Sequence, residues 1–203
     1  MQLLLATNNE DKIREIKHLL DDLPVTILTR DDFLEFPDVE ETGTTLEENA
    51  GLKAKAVAEF CDLPALADDS GLEVDALDGA PGVYSSRYAG ESATYADNNL
   101  KLLEKLKGVP PDKRTARFRC VIAIDWADGT SDAVEGVAEG LIAEEISGQQ
   151  GFGYDPVFFY PPAGKRFSEM TLEEKNLVSH RGQALQKARD LIIERLNQMK
   201  NRD

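Results

Sequence analysis

Two adjacent carboxylates, Asp68 and Asp69, follow the short apolar run Pro64-Ala65-Leu66-Ala67 and precede Ser70 and Gly71. The apolar run reads as a buried strand that stops at the acids. Ser70-Gly71 then lets the chain turn and its backbone approach a ligand. Ligands of α/β proteins sit at strand ends of this kind. Neighbouring acids repel each other and lose hydration on burial, and a divalent cation compensates both, because hard cations take oxygen ligands. The same residues also make good solvated-turn chemistry. Residues alternate in direction along a strand, so one of the two acids, Asp68 or Asp69, would face a metal.

Other stretches carry cations and polar donors. Thr7-Asn8-Asn9-Glu10-Asp11-Lys12 leaves a strand at 3–6 and enters a helix with Ile13, Ile16, Leu19 and Leu20 in a row. Such a loop aims backbone N–H groups at an anion, and Lys12 in the first turn reaches a phosphate. It is not a P-loop pattern. Asn8 or Asn9 alternatively caps the helix, a contribution of about 0.5–2 kcal/mol. The Thr45–Glu48 capping box opens a second helix with the inner row Leu46, Ala50, Lys53, Val57 and Phe60. Lys53 breaks that apolar row, with Asn49 one turn away; it either snorkels to solvent or meets an anion in a cleft.

Gly151-Phe152-Gly153-Tyr154-Asp155 offers a backbone that can approach a flat ligand while a ring stacks on it, or a glycine turn with core aromatics. Thr171-x-x-Glu174 caps a short helix holding Lys175. His180-Arg181 opens the C-terminal helix and either directs donors at a ligand or forms a capped surface turn, whereas His18 reads as a surface residue.

The elements that must position these groups are legible from periodicity. A strand is expected at 25–29, an acidic irregular segment at 31–43, and a helix at 94–107 carrying Leu100, Leu103 and Leu106. Long alternating strands at 117–126 and 131–146 flank the hairpin signal Asp128-Gly129, and an apolar strand follows at 157–160. The C-terminal helix turns Ala184, Leu185, Ala188, Leu191, Ile192, Leu196 and Met199 inward. Short parallel-type strands followed by long antiparallel ones predict an α/β fold: a mixed β-sheet flanked by helices. The 203 residues form a single domain, with a second lobe at roughly 110–165 built by the hairpin.

Composition narrows the function. With 38 acids against 23 Lys and Arg the formal charge is −15, which argues against nucleic acid and anionic membranes as partners. A small phosphorylated ligand would need a local cluster of cations or a metal. No apolar run approaches the ~20 residues of a membrane span, and the N-terminus lacks a basic signal-peptide region. Two cysteines in apolar surroundings, Cys61 and Cys120, suggest free thiols, a reducing compartment and a cytoplasmic protein.

Together the segments ATNNEDK, EETGTTLEENAGLKAKA, ADDSGLEVDALDGAPGVYSSRYAG, GFGYDPVF and LEEKNLVSHRGQAL resemble the inosine triphosphate pyrophosphatases, the Ham1 or non-standard purine nucleoside triphosphate pyrophosphatases. They span the chain in order. One departure is Asp11, where the family often has glycine before the lysine; it puts an acid near the expected phosphates. The resemblance implies an elongated mixed α/β fold with two lobes and a central substrate cleft, usually a homodimer. It implies Mg²⁺-dependent hydrolysis of ITP, dITP and XTP to the monophosphate and pyrophosphate. By residue match, Thr7, Asn8, Asn9, Glu10, Asp11 and Lys12 would hold the triphosphate. Glu40 and Asp69 would bind magnesium, with Asp69 also the general base. Ser70 would touch substrate, and Phe152, Gly153, Tyr154, Asp155, Lys175, His180 and Arg181 would enclose the base and sugar. Lys53 would help neutralise the phosphate tail. Competing readings are a related pyrophosphatase acting on modified pyrimidine nucleotides and a nucleotide-binding regulator without turnover.

Overall fold

Apolar residues on both sides of the first strand decide how the chain is layered. Leu3 and Leu5 of β1 (Gln2–Leu5) face one way and Leu4 the other, and all three are fully buried, so both faces of that strand are covered. In the computed structural model, which describes residues 1–126 and 128–201, β1 pairs in parallel with β2 (Thr26–Leu28) and with β3 (Ala65–Val74). The chain passes from β1 to β2 through α1 (Glu10–Leu20) and from β2 to β3 through α2 (Leu46–Cys61). These crossovers run in opposite directions past β1. Right-handed connections therefore put α1 and α2 on opposite faces. The reversal falls between β1 and β3, and α/β sheets open their ligand crevices at the carboxyl ends of strands flanking such a switch.

The remaining strands are β4 (Pro81–Gly82), β5 (Thr115–Asp125), β6 (Ser131–Ile142), β7 (Phe158–Tyr160) and β8 (Lys165–Arg166). They complete an open mixed sheet in the order β2-β1-β3-β5-β6-β7-β8, with β4 on β3. The other helices are α3 (Tyr95–Lys105), α4 (Leu172–Val178) and α5 (His180–Lys200). This is the expected mixed sheet flanked by helices.

The residues fall into two compact units. One comprises Met1–Asp69, Cys120–Gly136 and the chain from Gly182 on; the other comprises Ser70–Arg119 and Val137–Arg181. The stretch 110–165 expected as a second lobe is shared between them, 120–136 going to the first. The first core sets Leu3, Leu5, Leu66, Cys120, Ile122 and Ile124 from the strands against Ile16 and Leu20 of α1 and Ala184, Leu185, Ala188 and Ile192 of α5. The second gathers Leu72, Leu102, Leu106, Phe118, Phe158 and Phe167. Its rings meet tilted and in parallel, Phe118 to Phe158 at 4.6 Å and to Phe167 at 5.9 Å.

Several expectations shift. Ser70-Gly71 does not turn the chain: β3 continues for ten residues, and its Leu72 and Glu73 pair with Gly82 and Pro81. Tertiary pairing overrides the local turn preference. Asp68 and Asp69 thus lie inside a strand rather than at its end. Phe60, Leu100 and Met199 are exposed: Phe60 and Met199 lie at the C-terminal ends of their helices, and Leu100 lies on the face of α3 away from the buried Asn98, Asn99 and Leu102. In α2 the buried row is Leu46, Asn49, Ala50, Ala54, Val57 and Ala58.

The second unit also buries Arg114, whose guanidinium donates to the carbonyls of Val109 (3.0 Å), Ala143 (3.0 Å) and Leu106 (2.9 Å). Those carbonyls end α3 and begin the segment after β6. Arg114→Ala is expected to lower unfolding free energy by about 3 kcal/mol, because buried acceptors lose charged donors. Urea denaturation checks this, and a loss below about 1 kcal/mol would show that water replaces the guanidinium.

Candidate active site

In the first unit, α1 is started by Asn9, whose side-chain oxygen accepts from the N–H groups of Asp11 (3.0 Å) and Lys12 (3.1 Å). Thr7 Oγ1 accepts from Asn9 N–H at 3.2 Å. The capping alternative therefore holds for Asn9. The cap sets the direction of the first helical turn, and Lys12 Nζ comes to 3.0 Å from Asp68 Oδ2. Asn8 and Glu10 are exposed, and Asp11 pairs with Arg14 at 2.8 Å, which balances the acid in this loop.

Asp68 and Asp69 are both buried. Strand alternation sends their side chains to opposite sides, so each needs its own compensation. Lys12 serves Asp68. Lys53 serves Asp69, and its ammonium is ringed by oxygens: Glu41 Oε1 at 2.7 Å, the Asp68 carbonyl at 2.9 Å and Asp69 Oδ1 at 3.3 Å. Lys53 does not snorkel, and the anions it meets are the protein's own. Burial alone would pull the Lys53 ammonium down, but Asp69, Asp68 and Glu41 outweigh it and hold the group above the usual lysine value. Burial pushes the Asp69 carboxyl up, Lys53 and Lys12 oppose that rise, and Glu41 and Asp68 add to it.

An ammonium held by an all-oxygen set marks a place whose donors suit a hard cation. Among the described residues no three Asp, Glu, His or Cys side chains group to hold an ion by themselves. Mg²⁺ commonly takes one or two carboxylates and fills its shell with substrate phosphates and water. Glu40, paired with Asp69 in the sequence reading, is exposed, and its carbonyl accepts from Thr42 N–H at 3.1 Å. The carboxylate that reaches Lys53 belongs to Glu41.

In the second unit the 151–155 loop is folded around Asp155. Asp155 Oδ2 accepts from Phe152 N–H at 2.9 Å and from Lys175 Nζ at 2.6 Å. Gly151 has φ +75°, and a Cβ there would lie 2.0 Å from Asp155 Oδ2, so the close approach requires glycine. Two buried cations attend the Phe152 ring, Lys175 Nζ at 4.8 Å and Arg181 Cζ at 5.3 Å from its centroid. Arg181 Nη2 also donates to Ser70 Oγ at 3.2 Å. His180 stacks in parallel on Phe118 at 4.5 Å, so its ring continues the aromatic core.

Tyr154 is buried in that core, and its hydroxyl donates to the Ser85 carbonyl at 2.9 Å; burial pushes the phenol well up. Of the four loop residues 152–155, Phe152 and Gly153 are the partly accessible ones. Asn99 of α3 was not foreseen: its amide donates to the Gly153 carbonyl and to the Tyr95 carbonyl, both at 2.8 Å. Tyr95 lies 5.9 Å from the Phe152 ring. The available signal was a polar residue one position from the apolar row of α3.

The Lys175–Asp155 pair is almost wholly buried, with side-chain exposures of 5% and 3%. Lys175→Met is expected to cost about 3–5 kcal/mol, because it withdraws the cation from a buried carboxylate. Adding Asp155→Asn should restore part of that loss. Urea unfolding of both variants checks this, and a double variant less stable than Lys175→Met would contradict it.

The family model described as Ham1 family matches residues 3–191. A dITP/XTP pyrophosphatase of Desulforamulus reducens is 52% identical over 192 residues, covering 95% of this chain and 96% of its own. One of Geobacter sulfurreducens is 52% identical over 189 residues, covering 93% and 95%. Among solved structures, a HAM1 protein from Coxiella burnetii matches with a TM-score of 0.87 at 44% identity, covering 96% of this chain and 99% of that one. Sequence and fold agree over nearly the full length, and the chain belongs to the Ham1 family.

Proposed function

We propose that this protein hydrolyses non-standard purine nucleoside triphosphates (ITP, dITP and XTP) between the α and β phosphorus atoms, releasing the nucleoside monophosphate and pyrophosphate. The observation that carries this reading is the buried Asp69 carboxylate, flanked by Lys53 at 3.3 Å and by Asn49 at 3.4 Å, with Lys12 on the neighbouring Asp68. The names of the relatives, dITP/XTP pyrophosphatases, support the substrate class.

The division of labour follows from charge. Cleaving a phosphoanhydride needs a positioned water and neutralised oxygens, with little covalent help. Lys12, Lys53 and the loop from Thr7 through Asn8, Asn9, Glu10 and Asp11 would take the triphosphate. Asp69 would accept the proton of the attacking water, a role favoured by a carboxyl held above the usual carboxylate range by burial. Asp69 and an acid of the neighbouring segment would hold Mg²⁺: Glu40 by the family match, Glu41 by its present contact with Lys53. When bound, Mg²⁺ supplies Lewis-acid neutralisation of the phosphate oxygens.

Phe152 offers a ring to a flat base, while Arg181 and Lys175 favour its carbonyl oxygens; Ser70, Gly153, Tyr154, Asp155 and His180 complete that set. Hypoxanthine and xanthine carry an acceptor at the 6-position where adenine carries a donor. A site that donates there rejects adenine by up to about 10⁴-fold. The same reading includes a homodimer and a cytoplasmic location. Among the described residues no helix is long and apolar enough to cross a membrane.

The test is pyrophosphate release from dITP, ITP and XTP against the common and modified pyrimidine triphosphates, with and without Mg²⁺. Metal-dependent release confined to the oxo-purines is expected; binding without release would instead make the protein a regulator. Asp69→Asn should lower kcat by about 10³-fold while leaving the protein folded and able to bind the nucleotide. Wild-type turnover in that variant would refute the base assignment. Arg181→Ala should narrow the ITP/ATP ratio in kcat/KM, and an unchanged ratio would remove Arg181 as the purine reader.

A further inference from the structure

We propose that Asn49 is a positioning residue: its side-chain amide orients the Asp69 carboxylate and fastens it to the acidic segment that carries Glu41. This rests on the reading above, in which Asp69 activates water.

Asn49 lies in α2 and is 1% exposed. A buried amide must satisfy both ends or lose free energy. Its oxygen accepts from Gly43 N–H at 2.8 Å, and its nitrogen donates to Asp69 Oδ2 at 3.4 Å. The two partners fix the amide's sense. A backbone N–H can only donate and an ionised carboxylate can only accept, so the flipped amide would satisfy neither. The other Asp69 oxygen, Oδ1, takes the Lys53 ammonium at 3.3 Å. Both carboxylate oxygens are thus held, from two residues one helical turn apart on α2. The bond to Asp69 is long, as catalytic hydrogen bonds often are before substrate arrives.

The contacts close a circuit. Asn49 holds Gly43, two residues beyond Glu41. Glu41 meets Lys53 at 2.7 Å, Lys53 meets Asp69, and Asp69 meets Asn49. Gly43 is built for this: a Cβ on it would lie 2.5 Å from Asn49 Oδ1 and 2.7 Å from Glu48 Cβ. The next residues are clamped as well. Glu48 accepts from Thr44 N–H (2.6 Å), Thr44 Oγ1 (2.9 Å) and Thr45 N–H (3.2 Å), and these amides and hydroxyl hold its carboxyl below the usual range. The start of α2 therefore grips the acidic segment at Gly43, Thr44 and Thr45. Asn49 is the member of that grip that also touches the proposed base.

Three variants test this. Asn49→Asp keeps an oxygen for Gly43 but sets a second acceptor against Asp69. Asn49→Ala removes both contacts. Gly43→Ala leaves Asn49 in place and drives a methyl into its amide. Each should lower kcat for dITP by about 10²-fold, the cost of a catalytic group displaced by about 1 Å. KM should stay within about threefold, as expected when an interaction acts only in the transition state. Calorimetric affinity for dITP with a chelator present should likewise stay within about threefold, because Lys12 and the base-side residues are untouched.

A folded Asn49→Ala protein that keeps its kcat overturns the proposal, and so does a variant whose loss lies in KM and metal-free binding with kcat intact. Where the Asn49 variants do not fold, Gly43→Ala decides: reduced kcat with KM kept supports the proposal, and retained kcat overturns it. If the unaltered protein releases no pyrophosphate from dITP, ITP or XTP, the functional reading fails and this proposal with it. Release by the unaltered protein with full kcat in Asn49→Ala overturns this proposal alone.

Discussion

Two neighbouring carboxylates buried in one strand dominate the electrostatics of the first unit. Each loses several kcal/mol of hydration on burial, and repulsion between them adds to that. The chain supplies an ammonium to each: Lys12 at 3.0 Å from Asp68, and Lys53 at 3.3 Å from Asp69. These lysines come from helices that the doubly wound topology sends to opposite faces of the parallel strands. A strand presents successive side chains to opposite sides, so two helices on two faces are the arrangement that can serve both acids. The crossover pattern and the buried charges are one constraint.

Helix starts turn that topology into position. Asn9 fixes the first turn of α1, and with it Lys12. The Thr45–Glu48 box fixes the first turn of α2, and Asn49 and Lys53 follow at the next turns of the same helix. A cap contributes about 1 kcal/mol to stability, a modest sum. Its larger effect is geometric, because the residues it orients are those that touch Asp68 and Asp69.

Much of this was legible in the sequence, and the failures are instructive. The mixed sheet followed from contrasting strand types, short apolar runs at 3–6 and 64–67 against long alternating ones beyond 117. The caps at Thr45 and Thr171 followed from residue type and spacing, whereas residue type left Lys53 open between solvent and an anion. Reading Ser70-Gly71 as a turn failed because long-range pairing of β3 outweighs local preference. Glu41 escaped notice because Glu40 and Glu41 are chemically identical in a segment without regular structure, and only the path of the backbone decides which reaches Lys53. Asn49 and Asn99 were invisible as contacts for the same reason. Each bonds a backbone group whose position depends on another element, Gly43 in one case and Gly153 in the other.

The two sets of residues carry different charged groups, and on the proposed reading the difference bears on where a metal would sit. At Asp69, ion pairs join Lys53 to Asp69 and Glu41, and Lys12 to the neighbouring Asp68. At Phe152, the cations Lys175 and Arg181 approach the ring, and Lys175 is paired with Asp155. The second set suits a base rich in carbonyl oxygens without help. The first brings Glu41, Asp68 and Asp69 together within a protein whose formal charge is −15, so on the proposed reading a polyphosphate alone would meet acids there at close range, where screening is weak. Added divalent charge would offset those acids and let both lysines move from carboxylate to phosphate oxygens. On the proposed reading, the need for a cation is therefore written into the residue inventory. Asp69, held by Lys53 on one oxygen and Asn49 on the other, stays in register while the charge around it changes.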